Sequence, residues 1–229
     1  MARVLIATVK SWNFRRYHKW ATRGQHVSRL VQKPSELTET MVAEFAPDYI
    51  FFPHWSWKIP PALYEHYECI VFHMTDLPFG RGGSPLQNLL VRGIYHTQVS
   101  ALRVVGGIDA GDIYMKRPLC LHGSATEIYI RASELIFEMM DEILEHSPTP
   151  MRQEGEVVEF MRRSPDQSQN PAGLDLARLY DFIRMLDAEG YPQAFLNYAG
   201  FRFEFSRASL RDGLIAADVR ITPLEEGAG

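Results

Sequence analysis

The sequence predicts an α/β fold: a Rossmann-like, mainly parallel sheet flanked by helices, followed by a small β-rich C-terminal appendage. Three observations predict it. Short apolar runs such as Val4–Ala7, Tyr49–Phe52 and Ile70–Phe72 alternate with segments of helical periodicity. That alternation builds parallel sheets with helices on both faces. Prolines 148, 150, 165 and 171 then break the pattern, and a polar, proline-punctuated stretch marks a linker or excursion. Beyond it, one helical segment and three strand-like runs close the chain. An α/β domain over residues 1–147 is therefore expected, with linker, helix and a small β-rich subdomain over 148–229.

Taken in order, Arg3 to Val9 reads as a buried first strand. The turn after it, Lys10-Ser11-Trp12-Asn13, lacks the Gly-x-Gly-x-x-Gly pattern of dinucleotide sites. In Phe14 to Trp20, basic Arg15, Arg16 and Lys19 alternate with aromatic residues. Two readings stand: a phosphate hold near the first strand's end, or an amphipathic helix with a solvated basic face. His26 to Val31 is a second strand. Pro34-Ser35 opens a helix with Ser35 as its N-cap and Leu37, Met41, Val42 and Phe45 at helical spacing.

Asp48 to Pro53 is a third strand, Pro61 to Tyr67 a short helix, and Cys69 to Phe72 a strand that delivers His73. A loop with two prolines and three glycines comes next. Ser84-Pro85 then starts a helix, serine as N-cap and proline at the first helical position, which ends at Gly93. Val99 to Val105 and Asp112 to Leu119 are strands. Ser124 and Glu127 form a capping box before a long helix that ends ahead of Ser147-Pro148. Val157 to Met161 is one strand-like piece in the linker. Leu174 to Ala188 is a helix, and Ala194 to Tyr198, Phe201 to Phe205 and Leu214 to Ile221 are short strands.

The 229 residues are 46% hydrophobic with a net charge of −4. A sizeable core is expected, and the acidic balance argues against nucleic-acid binding as the main task. The two cysteines form no CxxC pair and no HxH or HxxxH element occurs, so neither a disulfide framework nor a metal site is expected. The first residues do not read as a signal peptide, and no long apolar span exists. A cytoplasmic protein without membrane association is expected.

Residues 69–116 carry the motifs. His73, Leu77, Pro78, Arg81, Gly82 and Pro85, followed by Asp109-Ala110-Gly111-Asp112, resemble the core of the folate-dependent formyltransferases. That family's pattern is Asn-x-His-Pro-Ser-Leu-Leu-Pro-x-x-x-Gly and then Asp-[Ala/Thr]-Gly-Asp, and the interval between the histidine and the acid is kept here. One departure matters: the family asparagine falls on Val71. In the tail, Ile183-Arg184-Met185-Leu186 and Tyr191-Pro192-Gln193-Ala194-Phe195 are similar to the family's appendage signature.

The resemblance implies N10-formyltetrahydrofolate as co-substrate and an amine as acceptor. His73 would be the general base and Asp109 its orienting carboxylate. Trp55, Trp57, Gly106, Gly107 and Ile108 would contact the pterin, and Thr75, Arg81 and Gly82 the substrate. Trp55 and Trp57 also read as interior residues between a strand and a helix. At Val71 the family's hydrogen-bond donor to the formyl oxygen is missing. Charged His73, Thr75 or a backbone N–H is expected to replace it; a slow variant or a folate-binding homologue without transfer are the alternatives. The acceptor implied is a nucleotide-linked amino sugar, with methionyl-tRNA as the alternative, and a homodimer through the tail strands is plausible.

Overall fold

The computed structural model describes residues 1–224. Strands β1 (Arg3–Ala7), β2 (Val27–Val31), β3 (Tyr49–Phe52), β4 (Glu68–His73), β6 (His96–Arg103) and β7 (Ile113–Cys120) form one sheet in the order β2-β1-β3-β4-β6-β7. Its pairs β1–β2, β1–β3 and β3–β4 are parallel and β4–β6 is antiparallel. The reversal after β1, with β2 on one side and β3 on the other, creates a crevice outside the carboxyl ends of the strands, where α/β sheets bind ligands. Helices α1 (Ser11–Ala21), α2 (Glu39–Phe45), α3 (Pro61–Tyr64), α4 (Pro85–Val91), α5 (Ala125–His146) and α6 (Leu176–Arg184) accompany the strands.

The chain divides into two compact units. The first holds Met1–Gly82, His96–Leu119 and Tyr129–Phe160. Its core is the apolar run of each central strand: Leu5, Ile6, Ile50, Phe51, Phe52 and Ile70 are wholly buried. Strands buried on both faces read as continuous apolar runs, which is why β1 and β3 were legible. Helix α5 opens on its capping box: Ser124 N–H donates to Glu127 Oε2 at 2.7 Å, and Glu127 N–H to Ser124 Oγ at 3.3 Å. Its Ile128, Ala132, Ile136, Met139, Met140 and Ile143 are buried as the period required.

The second unit holds Gly83–Tyr95, Cys120–Ile128 and the chain from Met161 onward. Its antiparallel sheet runs β11-β10-β9, with β9 (Ala194–Tyr198), β10 (Phe201–Arg211) and β11 (Leu214–Pro223). A buried ion pair organises it. Arg184 Nε donates to Asp181 Oδ1 at 2.8 Å, and its Nη1 donates to the carbonyls of Leu121 and Gly123 at 2.6 and 2.7 Å. Tyr95 OH donates to the other Asp181 oxygen at 2.7 Å. Each charge thus has its ion-pair partner and further hydrogen bonds, the condition for keeping a pair out of water.

Three local expectations are corrected. The helix expected from Ser35 starts later. Pro34–Glu36 is a single 3₁₀ turn, and α2 begins at Glu39 because Thr38 Oγ1 accepts from Met41 N–H at 3.2 Å. Ser84 does not cap α4 through its side chain. Its backbone is left-handed (φ 49°), and its Oγ instead accepts from Arg163 N–H at 3.1 Å. The glycine-rich loop contains a strand, β5 (Phe79–Gly82), paired in parallel with β8 (Val158–Phe160). Among the described residues no helix is long and apolar enough to cross a membrane.

Candidate active site

Strand β4 sets the site. Side chains alternate across a strand, so Cys69, Val71 and His73 share one face. Cys69 and Val71 pack into the apolar cluster of Ile50, Phe52 and Leu63, and His73 is the residue of that face at the strand's carboxyl end. Its ring is 7% exposed. Burial pushes the Cys69 thiol up to about 12, so it remains a packing residue rather than a nucleophile.

The imidazole is held at both nitrogens. Nε2 lies 2.7 Å from the Gly80 carbonyl. A carbonyl only accepts, so Nε2 carries a proton and, in the neutral ring, the lone pair falls on Nδ1. Nδ1 faces Asp109 Oδ2 at 3.5 Å, an ion-pair distance rather than a hydrogen bond. Once Nδ1 takes a proton, the imidazolium has a carboxylate on one side and a carbonyl dipole on the other. A ring so placed can serve as a base whose charged form is stabilised by its neighbours.

Asp109 is positioned by backbone. Its Oδ2 accepts from Gly82 N–H at 2.9 Å. Its own φ is +48°, a left-handed conformation that asparagine and aspartate tolerate better than most residues. Gly111 makes the turn possible, because a Cβ there would sit 1.8 Å from the Arg103 carbonyl. Gly106 and Gly107 meet no such backbone contact, and with Ile108, 77% exposed, they form the open lip of this loop. Thr75 is fully buried and gives its hydroxyl to the Gly80 carbonyl at 3.3 Å. Ser100 Oγ donates to the Thr75 carbonyl at 2.7 Å. Thr75 thus supports the loop under His73, and this geometry withdraws its hydroxyl from the list of exposed donors.

His73, Thr75, Arg81, Gly82 and Asp109 therefore belong to one hydrogen-bonded network. A residue that sequence reasoning missed completes it. Gln153 Nε2 donates to the carbonyls of Asp109 and Gly111, each at 2.8 Å, while its Oε1 accepts from Arg81 Nε and Nη2 at 3.1 and 2.8 Å. Nothing in local periodicity marks it, because its partners, two backbone carbonyls and the Arg81 side chain, are all distant in sequence.

Trp55 and Trp57 form a separate aromatic pair with centroids 5.2 Å apart. Trp57 is 48% exposed. Trp55 leans on the core cluster, and its buried Nε1–H has no partner. Nearby in sequence, His54 is wedged between Trp12 and Tyr129, with centroids 5.4 and 4.8 Å away. Burial first and the Lys10 ammonium second lower its pKa to about 3, so it is neutral at ordinary pH. On α1 the side chains of Arg15 and Lys19 are exposed. Among the described residues no three His, Cys, Asp or Glu side chains gather as a possible metal site, and Asp76 is paired with Lys116 at 2.5 Å.

Comparison with known proteins places this geometry. The family model for the C-terminal domain of methionyl-tRNA formyltransferase matches residues 165–222. A solved structure described as methionyl-tRNA formyltransferase from Clostridium thermocellum is 51% identical, covering 97% of this chain and 100% of that one, with a TM-score of 0.95. Methionyl-tRNA formyltransferase of Rickettsia massiliae is 28% identical over 142 residues, 58% of this chain and 47% of the relative. The chain thus spans about half the length of the curated relatives it matches. A sugar N-formyltransferase from a Shewanella species shares the fold at 14% identity and a TM-score of 0.67, covering 95% of this chain and 96% of that one. With half of all residues identical to a relative covered from end to end, the chain belongs to the folate-dependent formyltransferase family.

Proposed function

We propose that this protein is an enzyme that moves a formyl group from N10-formyltetrahydrofolate to a primary amine, and that the amine is carried on a nucleotide-linked amino sugar. One observation carries the reading: His73 has its lone pair on Nδ1, facing Asp109 at 3.5 Å, while Gly80 holds Nε2. An ammonium is not a nucleophile until a base takes its proton, and this ring is arranged to take one and keep it.

The residues present fit a reduced folate. The Trp55 Nε1–H is buried and unpartnered, so it offers a donor to a polar heterocycle. Trp57 supplies an exposed flat wall, and Ile108, with Gly106 and Gly107, an open apolar edge. Aromatic walls with few placed polar groups suit such a ligand. The folate, when bound, supplies the formyl group. His73 Nδ1 takes the proton of the incoming amine, Asp109 stabilises the resulting imidazolium, and the imidazolium returns the proton to the leaving nitrogen. Arg81 and Gly82 line the approach for the acceptor.

The net charge of −4 supports a small nucleotide-sugar acceptor over a broad polyanion. Methionyl-tRNA is the second reading, favoured by the family match over residues 165–222. A homodimer is supported by the apolar face of the tail sheet, where Tyr198, Phe201, Val219 and Ile221 are 71, 44, 47 and 55% exposed. Cross-strand pairing puts Tyr198 opposite Phe201, Phe203 opposite Ile221 and Phe205 opposite Val219 on that one face.

The test is a tetrahydrofolate-release assay with N10-formyltetrahydrofolate, run against nucleotide-linked amino sugars and against methionyl-tRNA. Turnover with the sugar panel and its loss in His73→Asn are expected. No release with any amine, or an unchanged rate in His73→Asn with the fold intact, overturns the reading.

A further inference from the structure

We infer that Gln153 is a positioning residue for the acid–base pair: its side-chain amide ties the loop that carries Asp109 to the strand that carries Arg81. This rests on the reading that His73 and Asp109 are the reacting pair. Gln153 lies outside every motif, in the stretch between α5 and β8, and makes four hydrogen bonds of 2.8 to 3.1 Å.

The arrangement admits one amide orientation. Only the NH₂ can face the carbonyls of Asp109 and Gly111, and only the oxygen can face the Arg81 guanidinium. The loop it holds needs holding. Asp109 sits at φ +48°, which costs on the order of 1–2 kcal/mol for a residue with a Cβ. On the far side Gly111 is pressed against Arg103, whose N–H donates to the Asp112 carbonyl at 2.9 Å. Gln153 supplies the opposite anchor.

The strand at its other end also bears on the base. Arg81 lies between Gly80, whose carbonyl fixes His73 Nε2, and Gly82, whose N–H fixes Asp109 Oδ2. The same stretch of chain is itself pinned. Met151 exchanges two backbone hydrogen bonds with Ile113 at 2.8 and 2.9 Å, and β8 pairs with β5. Gln153 thus connects both supports of the imidazole through one side chain.

Gln153→Glu tests this, because glutamate keeps the length and the Arg81 partner but has no N–H for the two carbonyls. Gln153→Met, which keeps the bulk and introduces no charge, is the second variant. Both are compared with Asp109→Asn in the full chain. A fall in kcat of about ten- to a hundredfold is expected for both Gln153 variants, since displacing a reacting group by about 1 Å costs that much. KM for N10-formyltetrahydrofolate stays within about twofold. Independently of activity, the ¹⁵N resonances of the His73 ring move in both variants of ¹⁵N-histidine-labelled protein while those of His54 hold still. Unmoved His73 resonances with kcat within twofold overturn the inference. An unchanged rate in Asp109→Asn overturns the catalytic reading instead, and the resonances of His73 still decide the role of Gln153.

Discussion

The Gly80 carbonyl lies 2.7 Å from His73 Nε2, and this contact decides which nitrogen of the ring is free to take a proton. Gly80 can fill that role only as glycine. Its φ is +82°, and a Cβ would meet Thr75 Cγ2 at 2.7 Å and the Phe160 ring at 2.8 Å. Gly80→Ala therefore meets a left-handed backbone and a closed space together. We expect a loss of roughly 2–4 kcal/mol, combining backbone strain with overpacking. A lower urea midpoint with an unchanged slope reads it out. A midpoint unchanged within error would mean that the carbonyl is not held where described.

Val71 marks the break in the motif that bears on the chemistry. It shares a strand face with His73, two positions earlier, and packs against the apolar cluster. Thr75 spends its hydroxyl on Gly80, and the Gly82 N–H serves Asp109. Protonated His73 is engaged as well, with Nε2 on the Gly80 carbonyl and Nδ1 toward Asp109, so of the donors weighed for the formyl oxygen a backbone N–H other than that of Gly82 is left. Val71→Asn adds an amide on the same face. Its expected effect is a rise in kcat of about tenfold or more, since one such donor is worth 10²–10³ in well-studied sites. It also lowers stability by about 1–3 kcal/mol, because an amide enters an apolar cluster. Single-turnover rates and thermal midpoints measure the two effects separately, and a kcat that falls or stands still would show that a second donor already serves.

The large features of this fold were legible because they rest on local pattern. Continuous apolar runs announced β1, β3 and β4, the Ser124–Glu127 box announced α5, and a histidine at a strand's carboxyl end pointed to the candidate site. The rest depends on partners distant in sequence. Strand β5 is four residues, two of them glycines at positive φ, and exists through its pairing with β8 nearly eighty residues later. Gln153 recognises backbone carbonyls, which leave no trace in residue type. Ser35 and Thr38 are equivalent caps on paper. The choice fell to Thr38 because the Glu36 carboxylate accepts from Gln32 and Lys33 N–H at 2.9 and 3.3 Å and closes the earlier turn on itself.

Arg184, read at first as one letter of a tail signature, carries a structural load that can be measured. The guanidinium and the Asp181 carboxylate are 3 and 7% exposed. Arg184→Met leaves Asp181 buried without its partner and frees two carbonyls, and the expected cost is about 3–5 kcal/mol. Arg184→Met combined with Asp181→Leu removes both charges and is expected to recover a large part of that loss, with the Tyr95 hydroxyl and the Leu121 and Gly123 carbonyls as the remaining groups to satisfy. Equal destabilisation in the single and double variants would show that the pair contributes nothing beyond its packing.

His54 gives the protein an acid sensitivity whose sign can be worked out. Its pKa is lowered from 6.5 to about 3 by burial and by Lys10. Above pH 6.5 the ring is neutral both folded and unfolded, so it makes no difference to stability. Between pH 6.5 and about 3 the unfolded chain binds a proton that the folded one refuses, so stability falls as pH falls. Each unit of that window is worth about 1.4 kcal/mol at most, so lowering the pH from 6.5 to 4.5 costs on the order of 2 kcal/mol from this ring alone. His54→Asn removes the titration and suits the left-handed backbone at this position, φ +55°. Urea midpoints of the two proteins should run parallel above pH 7 and diverge below 6.5, the variant declining less steeply. Parallel curves down to pH 4.5 would mean that the ring takes its proton inside the folded protein, between Trp12 and Tyr129, as readily as in water.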